Sequence, residues 1–281
     1  MNQLHVHKAL REPAADGAGE LYTAVVLRRD MDFFVLRCPG QGLPTIDLPA
    51  LLTAAEQPLP NGERVAPGNK GGPPLQVDPV QAFPKFRRGY TVWKRFARYG
   101  PMLTLKFPDF IDYLDPRTRP QSKASLASEV HVMEQLRKYH MENGPDPRAD
   151  HIINYHGVLE SNGRIPGLVF DCLPNVLQLR CTESPLRPLD VDKVINGVRA
   201  ALSYLHEYGL CHNDVGPQNI GLTADEEAVL VNFESCLPPG EPLTKGGATK
   251  RLNPDATTSC EQNDLLCVEA LEAELRDMFG W

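Results

Sequence analysis

The stretch from Ser203 to Ser235, SYLHEYGLCHNDVGPQNIGLTADEEAVLVNFES, constrains the fold of this chain more than any other. Just upstream, Asp190 is an N-cap residue, and Val191, Val194, Ile195, Val198, Leu202 and Leu205 recur on one face, which predicts an amphipathic helix. The helix runs into Gly209, and His212-Asn213-Asp214 follow, with Asn219 five residues past the aspartate. Ala228–Val231 reads as a short strand ending in Asn232-Phe233-Glu234. A helix, a polar loop and a short hairpin in this order bring one carboxylate and two carboxamides together, as a site for a metal ion and phosphate requires.

The other segments give coarser signals. Leu21–Leu27 and Phe33–Arg37 predict a hairpin about Arg29-Asp30-Met31-Asp32. Asp47 to Gln57 predicts a short helix with Asp47 as N-cap and Pro49 in its first turn. From Pro58 to Pro84 glycine and proline crowd together, the composition of a mobile linker. Tyr90–Phe96 and Met102–Phe107 predict a second hairpin about Tyr99-Gly100-Pro101. Leu126, Val130, Met133, Leu136 and Tyr139 predict a helix over Ser122–Met141. Ile152–Tyr155 and Leu168–Asp171 read as strands, with Asn162-Gly163 as the turn signal between them. Leu265, Val268, Leu271, Leu275, Met278 and Phe279 predict a last helix from Glu261 to Phe279.

A net charge of −7 argues against a nucleic-acid partner. No apolar run approaches the roughly 20 residues of a membrane span, so no membrane partner is expected. The opening MNQLHVHKALREPAADG has no apolar core to serve as a secretory signal. The seven cysteines are scattered, odd in number and without a C-x-x-C, which suits free thiols in the cytoplasm or nucleus. Cys211 and Cys236, either side of the polar loop, read as buried thiols.

In order and spacing the loop resembles the protein kinase-like family, whose loop reads His-Arg-Asp, four residues, Asn, and whose next hairpin ends in Asp-Phe-Gly. The resemblance covers roughly Tyr90 to Trp281 and is nearest to the divergent Ser/Thr protein kinase-like proteins common in filamentous fungi. It implies an α+β fold of the kinase-like bilobal type, with a small β-rich lobe and a truncated helical large lobe. The expected division is an N-terminal α/β extension over 1–57, the linker over 58–84 and, by the resemblance, the small lobe over 85–173 and the large lobe over 174–281. This sequence departs from the family at four places: Asn213 replaces Arg, Gly216 the loop Lys, Asn232 the metal-binding Asp, and Glu234 the Gly. No G-x-G-x-x-G occurs, and only Gly89 precedes Tyr90.

By resemblance, Asp214 accepts the proton of a substrate hydroxyl, while Asn219 holds magnesium and ties down the loop. The plainer readings are an aspartate satisfied by turn amides and an asparagine in a turn near Pro217. Asn232 and Glu234 complete the implied metal set. Losing a unit charge about 4 Å from a cation, at an effective dielectric near 20, forfeits several kcal/mol. Glu234 is a candidate substitute, since kinases of the choline kinase type read Asp-Phe-Glu there. His212 is implied to be structural. Glu129 lies on the apolar stripe of its helix and wants a cation. Lys106 is the natural donor and would grip the nucleotide phosphates, with Lys94 as its rival. The nucleotide base would pair with backbone at Phe170, Asp171, Cys172 and Leu173. Asp264 reads equally as an anchor for the loop backbone or as a first-turn aspartate favoured by the helix dipole.

After Glu234, 47 residues follow, enough for one extended segment and one helix. The expected function is therefore a divergent Ser/Thr protein kinase-like phosphotransferase using ATP and Mg²⁺, with weakened activity and weak metal binding. The alternatives are a pseudokinase, working as a nucleotide-binding or protein-interaction scaffold, and a small-molecule phosphotransferase. The expected partner is a protein substrate or a regulatory protein. A second copy, giving a homo-oligomer, would equally cover the apolar surface left by a thin large lobe.

Overall fold

The computed structural model describes residues 5–13, 21–39, 75–94, 102–110, 113, 118–243 and 247–280. The expected helix over Asp47–Gln57, the linker up to residue 74 and the turn Tyr99-Gly100-Pro101 lie outside them. The described residues form a mixed α+β structure divided into two compact units. The first comprises 1–87, 107–126 and 160–167; the second comprises 88–106, 127–159 and 168–281. These units interleave along the chain.

In the first unit, β1 (His5–Pro13), β2 (Leu21–Arg29), β3 (Asp32–Pro39) and β4 (Leu75–Gln76) form one antiparallel sheet in that order. The β2–β3 hairpin is the one the sequence predicts, with Arg29 opposite Asp32 and Asp30 at φ +51° in the turn. Two elements correct the reading. β1 was not foreseen, and residues 75–84, expected as linker, carry β4 and a helical turn, α1 (Pro79–Ala82), capped by Asp78. The core here is aromatic: Phe33, Phe83, Phe110 and Tyr113 are all buried, and the Phe33 and Phe110 ring centroids lie 4.5 Å apart.

β5 (Leu103–Lys106) pairs antiparallel with β7 (Arg164–Asp171), Lys106 opposite Leu168, in a sheet ordered β5-β7-β6 with β6 (Tyr155–Ser161). The Asn162-Gly163 turn forms as predicted, both residues at positive φ. The strand expected at Ile152–Tyr155 starts only at Tyr155; Ile152 instead makes a single parallel bridge to Leu230. Tyr90–Trp93 is not a regular strand either. Val92 bridges Val158 in parallel, held where Gly157 has no side chain: a Cβ there would meet the Thr91 carbonyl at 2.6 Å.

α2 (Arg119–Asn143) is longer than predicted by a few residues at each end. β8 (Asn175–Val176) leads into α3 (Leu177–Arg180). α4 (Val191–Glu207) starts where predicted, the Asp190 side chain accepting the Lys193 N–H at 2.9 Å. Its whole predicted apolar face is buried. β9 (Ile220–Leu222) pairs with β8 and with β10 (Ala228–Leu230) in a second small sheet. α5 (Gly247–Leu252) and α6 (Glu261–Phe279) follow. On α6 the stripe is narrower than predicted, since Leu265 and Met278 are 42% and 37% exposed. Among the described residues no helix is long and apolar enough to cross a membrane.

Candidate functional site

The loop after α4 is fixed by a carboxylate beneath it. Asp264, in the first turn of α6, is fully buried and accepts the backbone N–H of His212 at 2.8 Å and of Asn213 at 2.7 Å. His206, near the end of α4, approaches its Oδ2 at 2.9 Å through Nε2. Of the two readings of Asp264, the structure shows the anchor. The His206, Cys211 and Asp264 ligand atoms lie within 4.8 Å of one another. Asp264 already accepts from the histidine and two amides there, so the cluster is a hydrogen-bonded knot. Cys211 and Cys236 are buried, as expected, and burial pushes the Cys211 thiol up to about 12 and the Cys236 thiol well above the ordinary range.

His212 is fully buried against Phe233, ring centroids 5.4 Å apart. The Asp214 N–H donates to its Nδ1 at 3.3 Å, which leaves Nε2 to donate to the Val231 carbonyl at 3.2 Å. That pattern needs the neutral ring, and burial lowers the His212 pKa accordingly. Asn213, where the resemblance has an arginine, is buried at φ +61°. Its amide nitrogen faces the Ser259 hydroxyl at 2.9 Å and the Cys211 carbonyl at 3.0 Å. A residue that read as a mere departure is thus the knot of the loop.

The polar residues singled out from the sequence form one hydrogen-bonded line within the second unit. Glu129 is 1% exposed and pairs with Lys106 at 2.7 Å; Glu234 reaches the same ammonium at 3.1 Å. Lys106, not the exposed Lys94, is therefore the cation of this pair. Burial pulls the ammonium down, but the charges and hydrogen bonds of Glu129 and Glu234 outweigh it, and its pKa is raised. Lys106 also donates to Asn232 Oδ1 at 2.8 Å. Asn232 Nδ2 donates to Asn219 Oδ1 at 3.0 Å, and Asn219 Nδ2 donates to Asp214 Oδ2 at 3.0 Å. Asn219 Nδ2 also meets the Asp214 carbonyl at 2.8 Å, closing the loop on itself. Asn232 occupies the left-handed region at φ +67°, which asparagine tolerates better than most residues. The Phe233 N–H beyond it donates to Glu129 Oε1 at 3.1 Å.

Asp214 has a further partner that the sequence did not announce. The Ala248 N–H, at the start of α5, donates to Asp214 Oδ1 at 2.6 Å. Gly247 packs so closely that a Cβ would lie 2.4 Å from that oxygen. Thr249 fastens this segment from below, its buried hydroxyl donating to the Asn213 carbonyl at 2.8 Å.

The strand end expected to meet a nucleotide base is occupied in part by its own contacts. The Phe170 ring is buried beside Tyr155. The Asp171 N–H donates to Asn154 at 3.2 Å and the Cys172 N–H to Met102 at 2.8 Å. The Asp171 carboxylate meets His156 at 2.6 Å, and the Leu173 side chain lies over Gly221. Two further residues went unread. Glu134 accepts the Thr91 N–H and the Tyr155 hydroxyl, each at 2.8 Å. Arg180, 1% exposed, donates to Glu226 at 2.7 Å and to the Pro188 carbonyl at 2.6 Å. Its position at the end of a four-residue helix gave no periodic signal.

No protein-family model and no curated protein matches this sequence. The site rests on its own geometry: the Asp214 carboxylate at one end, an ammonium held by two carboxylates at the other, and two carboxamides between.

Proposed function

We propose that this protein is a divergent protein kinase-like phosphotransferase, slow in turnover, that moves a phosphoryl group from a nucleoside triphosphate such as ATP to a protein serine or threonine hydroxyl. The single observation behind this reading is the unbroken line Glu129–Lys106–Asn232–Asn219–Asp214. It joins residues 126 positions apart in the order that phosphate binding and proton acceptance require. Lys106 would meet the donor phosphates. Asp214 would take the acceptor's proton as its oxygen bonds to the terminal phosphorus and the bond to the leaving phosphate breaks. The kinase-like fold belongs to the same proposal. Val215, Gly216, Pro217 and Gln218, which follow Asp214 in sequence, line part of a groove of about 590 Å³ that would receive an acceptor segment.

The residues present do not fit magnesium as they stand. A hard divalent ion takes anionic or carbonyl oxygens in a near-octahedral shell. Here Asn232 Oδ1 accepts from Lys106 and Asn219 Oδ1 accepts from the Asn232 amide. Transfer supported by the Lys106 ammonium in place of a divalent ion would be slow.

One set of contacts favours a second reading, a pseudokinase scaffold that acts through a regulatory protein partner. Both Asp214 oxygens accept internal donors, Ala248 N–H and Asn219 Nδ2. Transfer of label from γ-labelled ATP to a protein acceptor separates the two. The enzyme reading expects slow transfer that Asp214→Asn reduces by about a hundredfold or more, in keeping with the ~10²–10⁴ of a general base. Transfer unchanged in that variant would end it.

A further inference from the structure

The amide of Asn232 is oriented from both sides. Its oxygen faces the Lys106 ammonium at 2.8 Å, and its NH₂ therefore faces Asn219 Oδ1 at 3.0 Å. An aspartate here would present an oxygen in each direction. Asparagine presents an oxygen toward a fixed positive charge and a donor toward the loop. It thus turns a locus suited to a cation into a hydrogen-bond bridge. The ammonium is not a passing neighbour either: Glu129, 1% exposed, and Glu234 hold it at 2.7 and 3.1 Å.

We infer that the Lys106 ammonium is the resident cation of this site, standing where a divalent ion would otherwise bind, and that Asn232 is the residue that makes the exchange. Any phosphate ligand then enters without a bridging metal. It meets one positive side chain already shared between two carboxylates, so its binding is weak and indifferent to magnesium. This assignment deepens the kinase-like reading and takes its ligand class from it, but the identity of the cation can be tested apart from any nucleotide.

The test uses Mn²⁺ alone as the probe, followed by loss of its free electron paramagnetic resonance signal. Wild type is expected to leave the signal free across the millimolar range. Asn232→Asp adds a carboxylate beside Asn219 and is expected to bind Mn²⁺ at least about tenfold more tightly, because replacing a neutral group by a unit charge near 4 Å is a large electrostatic change. A second variant, Lys106→Met, vacates the ammonium position beside Glu129 and Glu234; Mn²⁺ is expected to raise its melting temperature and not that of wild type. Wild type binding Mn²⁺ as well as Asn232→Asp does would overturn the assignment. So would failure of both variants to gain an ion. ATP binding measured in EDTA and in magnesium then judges the function separately: equal affinity supports both claims, and a magnesium-enhanced wild type sinks the cation assignment. No ATP binding, with the Mn²⁺ results as expected, removes the kinase-like reading and leaves Lys106 as the resident cation.

Discussion

Asp264 and His212 lie 52 residues apart in sequence, yet the Asp264 carboxylate accepts the His212 backbone N–H at 2.8 Å from a fully buried position. The same carboxylate takes the Asn213 N–H, so one side chain satisfies two donors that have no water to turn to. In Asp264→Ala both donors lose their acceptor. At about 1–3 kcal/mol for each buried group left unpaired, the variant should lose about 2–6 kcal/mol in urea unfolding. Asp264→Asn keeps one acceptor oxygen and should fall between the two. A loss below about 1 kcal/mol in the alanine variant would mean that the loop does not depend on this anchor.

His212 makes stability depend on pH. Its folded pKa lies below the ordinary value near 6.5, through burial, while the unfolded chain titrates at that value. The unfolded state therefore takes up the proton first. The neutral ring's contribution is fully present above about pH 6.5 and declines as pH falls toward the folded pKa, by at most about 1.4 kcal/mol per pH unit. Unfolding free energies measured from pH 7.5 to 5 should show this slope, and His212→Gln should flatten it. An unchanged slope in the variant would assign the dependence to other groups.

Gly247 tests the cap on Asp214. A Cβ there meets Oδ1 at 2.4 Å and Cγ at 2.5 Å, and the backbone sits at φ +45°. Gly247→Ala should push the start of α5 away and cost about 1–3 kcal/mol, the usual range for a non-glycine residue held in that conformation. The Ala248 N–H donates to Asp214, so its amide exchange is expected to be slow in wild type and faster in the variant. Unaltered exchange at that amide would show that the contact is not closed in solution.

Arg180 is a structural pin rather than part of the site. Its guanidinium is buried, donating to Glu226, to Glu183 and to the carbonyls of Arg187 and Pro188. Arg180→Met keeps the stem but removes the hydrogen bonds to two carboxylates and two carbonyls, so a loss of about 1.5–3 kcal/mol is expected in thermal unfolding, the range for hydrogen bonds to a charged group. Arg180→Lys keeps the charge without the fork and should recover only part of it.

Features whose cause lies within a few residues were legible from the sequence. Asp190 capping α4, the buried stripe from Val191 to Leu205, the Asn162-Gly163 turn and the bounds of α6 are local, because caps, helix faces and tight turns are set by neighbours one to four positions away. The loop was legible for the same reason, since Asp214 and Asn219 are five residues apart and meet through a short turn. The Lys106–Glu129 pair could be anticipated because a carboxylate on an apolar helix face must find a cation. Other choices belonged to the tertiary structure alone. Asp264 became an anchor only when α6 came beneath the loop, and Asn232 took its orientation from a lysine 126 residues away. Whether Leu265 and Met278 were inside or outside depended on what packed over α6, and the aromatic core of the first unit needed Phe33 to meet Phe110. Periodicity states which side of an element is apolar. Which distant group satisfies a buried charge or covers that side is decided when the chain closes, because desolvation penalises every unpaired group and only the folded arrangement offers the partner.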